Sequence, residues 1–227
     1  MGLALCMVVI ALIMLGNSKV EEYIYGKRVG DFFKNTNTSQ KLLNSTSYFA
    51  SYDMTVVSNK TTNTYTVEEY YKHPNKFRFN YVSKSQKPFS IIIDGKSVTI
   101  QNSQELNVFS MPEYITDTMN FSSIYSILTL YKQFTSTQHT CNCECKIYEK
   151  DSTYTMYICA GSALDDMCII CNKLKPADIS KLQLELNEEY MPITYVIYNK
   201  NMLEQVSIVY NSFELNKEIL DEVFKKF

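Results

Sequence analysis

Short runs of aromatic and β-branched residues, each closed by a turn cluster, organise the chain between Tyr48 and Phe109. The runs read YFASYDMTVVSN, TYTVEEYYKHPNKFRFNYV, PFSIIIDGKSVTIQN and ELNVF. The turn clusters are Asn59-Lys60-Thr61, His73-Pro74-Asn75-Lys76, Ser85-Gln86-Lys87-Pro88 and Asp94-Gly95-Lys96. Runs of this size with turn signals about every ten residues predict a continuous antiparallel sheet. Phe77, Phe79 and Tyr81 fall on one face of a strand, with Arg78 and Asn80 on the other. Val98 and Ile100 alternate with Ser97, Thr99 and Gln101. Asp94-Gly95 is a two-residue hairpin signal, because glycine takes the positive φ that a primed turn needs. One face is therefore apolar and the other polar. An apolar face this long needs a cover, so helices are expected to lie across it.

Outside the meander the periodicity changes. Leu3 to Leu15 is unbroken apolar sequence. It is short for a membrane span of ~20 residues and has the length of a signal-peptide core. Residues 1–18 are expected to form a signal peptide or an N-terminal membrane anchor, with Asn17-Ser18 at its end. Residues 19–227 are expected to form a single domain. Glu21 to Lys34, with Val20 just before it, carries Ile24, Val29, Phe32 and Phe33 near helical spacing, although Gly26 and Gly30 interrupt it. A second short helix is expected from Ser39 to Asn44. Thr116 to Phe134 reads as a helix with Met119, Phe121, Ile124, Tyr125, Leu128 and Tyr131 on one stripe. Lys146–Tyr148 and Tyr154–Cys159 predict a hairpin around Lys150-Asp151-Ser152. Lys181–Leu186 predicts a strand, and Ile193–Tyr198 pairs with Leu203–Asn211 across Asn199-Lys200-Asn201. Asn216 to Phe227 predicts an amphipathic helix presenting Ile219, Leu220, Val223 and Phe224. The fold class is mainly β with α, one antiparallel sheet with helices closing it.

A chain of 227 residues is long enough for one domain with a real core. The net charge of −2 gives no electrostatic footprint for nucleic acid.

Six of the seven cysteines lie between Cys141 and Cys171. Cys143-x-Cys145 with Cys168-x-x-Cys171 offers four thiolates, the donor set of a structural zinc site. Against zinc, Cys141, Cys143 and Cys145 would be spaced by the pleat of a strand rather than by a turn. In an exported chain the same cysteines read as disulfides, and buried free thiols are the third reading. No metal site and no cofactor is expected. Catalysis has little support. Only His73 and His139 are present, His73 in a turn before Pro74. No HExxH, G-x-S-x-G, P-loop or dinucleotide fingerprint occurs. Glu68 and Glu69 are adjacent on a strand and point to opposite faces, so they are no dyad. One is expected in solvent and the other near the sheet rim.

The stretch Glu69-Tyr70-Tyr71-Lys72-His73-Pro74-Asn75-Lys76-Phe77-Arg78, the Asp94-Gly95-Lys96 hairpin, Met191-Pro192-Ile193, Ile208-Val209-Tyr210 and the ending Asn216 to Phe224 form a pattern. It resembles the LolA/LolB-like lipoprotein-carrier superfamily from about Ser39 to Phe227. The resemblance implies a curved antiparallel half-barrel whose concave face is closed by helices. Within the superfamily the composition looks like the clostridial spore germination proteins of the GerS type. That likeness implies an exported, non-catalytic partner of a cell-wall N-acetylmuramoyl-L-alanine amidase in cortex modification, in the spore intermembrane space. It is compatible with a homodimer through exchanged strands. The alternative is a carrier holding a lipid or lipoprotein acyl chain in a cavity lined by residues such as Phe77, Phe79 and Ile100. The Cys141 to Cys171 cluster is no part of the superfamily pattern, and Leu5 before Cys6 departs from a lipoprotein signal.

The apolar segment generates the first expected outcome. Residues 1–30 fused to a reporter that works only outside the cytoplasm should make that reporter active. A reporter trapped inside the cell would refute export by this segment.

Overall fold

A computed structural model describes residues 23–28, 45–58, 61–95, 97–102, 106–110, 144–159, 179–189 and 191–225. The strands are β1 (Lys27–Arg28), β2 (Ser47–Ser58), β3 (Thr61–Lys72), β4 (Lys76–Val82), β5 (Phe89–Asp94), β6 (Ser97–Asn102) and β7 (Leu106–Ser110). They continue as β8 (Glu144–Lys150), β9 (Thr153–Cys159), β10 (Ile179–Leu186), β11 (Pro192–Asn199) and β12 (Glu204–Leu215). All belong to one 12-stranded sheet in the order β1-β8-β9-β10-β11-β12-β2-β3-β4-β5-β6-β7. Every described pairing is antiparallel, and β1 and β7 stand at opposite ends of an unclosed sheet.

The two longest pairings lie in the middle. β2 binds β3 on one side and β12 on the other, so an early and a late strand meet at the centre. Tyr48, Ala50, Tyr52 and Met54 of β2 share a face with Val67 and Tyr71 of β3 and Ile208 of β12. Phe77 and Phe79 of β4, Ile93 of β5 and Val98 of β6 extend that face one way. Tyr195 and Ile197 of β11, the leucines Leu182, Leu184 and Leu186 of β10, Met156 of β9 and Ile147 of β8 extend it the other way. These side chains form one buried cluster. The period-2 pattern thus produces a single apolar wall across almost the whole sheet.

The turns follow their local chemistry. Gly95 closes β5–β6 at φ +60°. Asp151 and Ser152 close β8–β9 at φ 51° and 61°, the pair of positive values that a type I′ hairpin requires. His73 to Asn75 form the exposed β3–β4 turn, as the Pro74 signal predicts.

Four expectations change. First, residues 23–25 are helical, but the helix expected over Glu21 to Lys34 does not run through: Lys27 and Arg28 pair with β8 instead. Gly26 breaks it at φ +96°, and a Cβ there would clash with the Glu149 carbonyl oxygen. Second, the ending is no amphipathic helix. Residues 217–220 are non-helical and Asp221–Phe224 make a single 3-10 turn. Third, that turn covers the other face of the sheet. Ile219 and Phe224 pack on Ile92, with Tyr70 and Val223 alongside. Fourth, helical closure of the apolar face is not seen in what is described. The expected helices Ser39 to Asn44 and Thr116 to Phe134 lie outside the described residues. β7 and β8, which flank the latter, stand far apart in the strand order.

Side-chain bonds fix the C-terminal segment to the second face. Arg78 Nη1 donates to the Val223 carbonyl at 2.8 Å, and Lys72 Nζ donates to the Ile219 carbonyl at 2.9 Å. Lys72 and Lys76 also meet the Asp221 carboxylate at 2.9 and 3.5 Å. Asp221 is held below the usual carboxylate range, chiefly by its hydrogen bond from Lys72. Phe224 is the apolar anchor. Phe224→Ala should lower unfolding free energy by about 3 kcal/mol, the range for a buried ring. Asp221→Asn should cost far less, because that pair is exposed. Chemical denaturation of both variants checks the ordering, and equal losses would refute it.

Candidate functional site

The apolar wall holds one charged-type residue near its centre. Glu69 of β3 is 1% exposed and shares its face with Val67 and Tyr71. Across the ladder it faces Ala50 on β2 and Phe79 on β4. Ala50 ends at its Cβ, which leaves room for the longer Glu69 side chain. The Tyr48 hydroxyl donates to Glu69 Oε1 in a short hydrogen bond. The Tyr52 hydroxyl is near enough to lower the Glu69 pKa but has no hydrogen bond of good geometry. Burial dominates, and the Glu69 carboxyl is pushed up from 4.5 to about 7 in spite of these two phenols.

Tyrosines surround the carboxyl. Tyr52 and Tyr210 pair across β2–β12 with ring centroids 5.3 Å apart. Tyr48 stacks on Phe213 at 5.2 Å and tilts against Tyr71 at 5.1 Å. Tyr81 stacks on Phe89 at 4.6 Å. Burial raises the pKa of Tyr52, Tyr81 and Tyr210, and the nearby Glu69 charge raises each further. Tyr195 is raised by burial alone. All stay neutral at physiological pH. A neutral phenol can donate and accept a hydrogen bond, so the cluster can bind a polar group. As it stands it offers no activated nucleophile.

The polar face carries a separate network. Arg78 Nε donates to Asn80 Oδ1 at 2.7 Å, Ser90 Oγ to the same oxygen at 2.8 Å, and Asn80 Nδ2 to Glu68 Oε2 at 3.3 Å. Burial lowers the Arg78 pKa, which the neighbouring Tyr70 and Glu68 oppose. Its bond to the Val223 carbonyl ties this network to the C-terminal turn. Its role is structural.

The sequence-predicted residues fall as follows. Phe77 and Phe79 are 8% and 2% exposed and stack on one another at 6.1 Å in the apolar wall. Ile100 opposes Ile91 on the same face but is 38% exposed, at the β6 side of the sheet. Cys145 pairs with Ile158, whereas Cys159 pairs with Glu144 and Lys181, so the register does not set the two cysteines opposite each other. Cys141, Cys143, Cys168, Cys171 and His139 lie outside the described residues. Among the described residues no cluster of three or more His, Cys, Asp or Glu side chains could hold a metal ion. Also among the described residues, no helix is long and apolar enough to cross a membrane; Leu3 to Leu15 lies outside them. Glu68 and Glu69 do point to opposite faces, with Glu68 exposed. The expectation that the other carboxylate sits near the rim is corrected, because Glu69 is buried in the middle of the wall. The signal was available: Val67, Glu69 and Tyr71 share strand parity.

No protein-family model matches the chain, and no curated protein matches it. Solved structures do show likeness. An uncharacterized conserved protein from Thermus thermophilus aligns at 10% identity over 84% of this chain and 90% of that one, with a TM-score of 0.49. The lipoprotein LppX from Mycobacterium tuberculosis aligns at 11% identity over 81% and 93%, with a TM-score of 0.44. A LolA superfamily protein from Nitrosomonas europaea aligns at 9% identity over 84% and 99%, with a TM-score of 0.37. At these values no activity or ligand is carried over to this chain.

Glu69 sets a pH dependence with a definite sign. Its folded pKa is raised, so the folded state binds the proton more tightly than the unfolded state. The stability this gives is fully present below about pH 4.5 and is lost as pH rises through about 7. The full swing is about 3 kcal/mol. Glu69→Gln keeps an acceptor for Tyr48 and removes the titration. Urea unfolding between pH 5 and 8.5 should show a falling stability for the natural chain and a flatter profile for E69Q. Parallel profiles would refute the assignment.

Proposed function

We propose that this chain is a carrier that holds the acyl part of a lipid or lipoprotein against the apolar face of its sheet, outside the cytoplasm. The observation that supports this is the wall itself. Apolar side chains from β2 to β6 and from β8 to β12 make one continuous surface, interrupted among the described residues by a single buried carboxyl among phenols. Binding sites for small amphiphiles have this composition, mostly apolar with a few placed polar groups. The resemblance to the lipoprotein-carrier superfamily agrees with it, and the apolar segment Leu3 to Leu15 motivates the location.

A second reading has its own observation. β7 pairs only with β6 among the described residues, and Val108 on it is 52% exposed. An open strand edge accepts another chain's strand through backbone hydrogen bonds. That edge would serve the binding of a cell-wall N-acetylmuramoyl-L-alanine amidase in spore cortex modification, or of a second copy of this chain.

Titration with the neutral apolar dye N-phenyl-1-naphthylamine distinguishes the two. A carrier should bind the dye saturably and release it on adding a long-chain acyl glycerol. Absence of saturable binding would refute the carrier reading. If amidase turnover on cortex peptidoglycan also rose with added protein, the partner reading would take its place.

A further inference from the structure

Three tyrosine hydroxyls on the apolar wall are buried without a hydrogen-bond partner: those of Tyr52, Tyr195 and Tyr210. They come from three adjacent strands, β2, β11 and β12. Tyr210 lies across from Tyr52, and Tyr195 lies across from Ile208, the neighbour of Tyr210 on the same face. Glu69 registers with Ala50, the neighbour of Tyr52 on the same face, so pairing gathers the four groups into one polar island on a shared face. Buried hydroxyls are nearly always paired, and an unpaired set in one place points to a partner that arrives from outside.

We propose that this island is the head-group subsite of the carrier, and that it selects a neutral oxygen-bearing head such as the ester and hydroxyls of a monoacylglycerol. The proposal rests on the carrier reading above. The chemistry of the wall favours a neutral head. Every lysine and arginine of β2 to β12, namely Lys72, Lys76, Arg78, Lys146, Lys150 and Lys181, registers on the opposite face. A fatty-acid carboxylate would therefore meet Glu69 with no cation from these strands to balance it. An ammonium head could pair with Glu69, but only by giving up its hydration in an apolar wall, a desolvation that one buried ion pair does not offset. An ester or hydroxyl needs only hydrogen bonds, and phenols supply both donors and acceptors. The rings stay packed on their neighbours while the hydroxyls do the selecting. At the rim of the sheet, Tyr81 and Phe89 line a cleft of about 270 Å³. Tyr81 registers with Val67, and Val67 with Tyr52, so the cleft lies on the same rung of the sheet as the island.

The test uses the purified full-length chain at pH 7.5, with bound N-phenyl-1-naphthylamine displaced by monopalmitoylglycerol, palmitate or hexadecylamine. Monopalmitoylglycerol should displace the dye at about tenfold lower concentration than either ionised amphiphile. Tyr52→Phe, Tyr195→Phe and Tyr210→Phe, made singly, keep the rings. Each should weaken monopalmitoylglycerol by about two- to tenfold relative to that variant's own dye affinity. Single variants that behave like the natural chain would overturn the proposal and leave the hydroxyls to ordered water. A preference for palmitate or hexadecylamine would overturn it as well. Failure of the dye to bind at all would instead remove the carrier reading on which it rests.

Discussion

The fold depends on the side-chain parity of β2. This strand sits between β3 and β12 in the middle of the sheet, so its register is passed outward in both directions. With Tyr48, Ala50, Tyr52 and Met54 inside, Phe49, Ser51, Asp53 and Thr55 face the other way. A slip of one residue would exchange the two sets. It would bury Asp53, whose carboxylate now accepts hydrogen bonds from Thr66 at 2.8 Å and Asn211 at 3.4 Å on the polar face. Burying that charge costs far more than any gain from Phe49. The same parity decides the fate of each later strand. β12 keeps it only through a bulge. Tyr210 opposes Tyr52 and Phe213 opposes Ala50, with Asn211 the extra residue between them. Without that insertion Phe213 and Leu215 would fall on the polar face.

The second face is stabilised differently. Around the C-terminal turn it has a small apolar cluster, Ile92 with Ile219 and Phe224, and long cationic side chains that bond backbone carbonyls. Arg78 suits this role because its planar fork reaches Asn80, Ser90 and the Val223 carbonyl at once. The start of β2 joins in. Asn216 takes φ 53° and donates its N–H to the Ser47 carbonyl at 2.8 Å, while Ser47 Oγ donates to the Lys217 carbonyl at 2.8 Å. The chain therefore crosses to the second face at the same strand that fixes parity on the first. Loss of this crossing would uncover Ile92 and free the last residues without disturbing the apolar wall.

Strands with clean alternation were legible from sequence; interrupted ones were legible only to the interruption. β3 to β6 and the β8–β9 hairpin fall where their alternation and turn residues put them. β12 reads from sequence only as far as Asn211, because the bulge breaks the period there. β10 reads from Lys181 although it begins at Ile179, because the register shifts between those two residues. The last residues show helical spacing, yet their apolar side chains meet a strand-built surface that one 3-10 turn satisfies. Periodicity reports which residues want burial. It does not report the surface that buries them. The N-terminal helix fails for a cause that sequence does name, Gly26, but the close carbonyl of Glu149 that demands glycine comes from a distant strand. The candidate site was half legible. Its apolar residues Phe77 and Phe79 follow from alternation. Glu69 reads from sequence as one of two adjacent carboxylates on opposite faces, one in solvent and the other near the rim. Only the long-range pairing shows that Ala50 opens a space beside it.

Glu69 is where the wall departs from what stability alone would choose. At that position an apolar side chain filling the space beside Ala50 would avoid the desolvation that raises the carboxyl to about 7. The three unpartnered phenols point the same way, since phenylalanine would keep the ring packing without burying a polar atom. Scattered over the sheet, such groups would be separate small losses. They are instead gathered on adjacent strands around one carboxyl, with the aliphatic part of the wall on either side. Local rules that fail together in one place mark a site that does something besides hold the fold together. The buried apolar remainder of the wall then keeps the polar island in low-dielectric surroundings, where a hydrogen bond to a head group counts for more than it would at the surface.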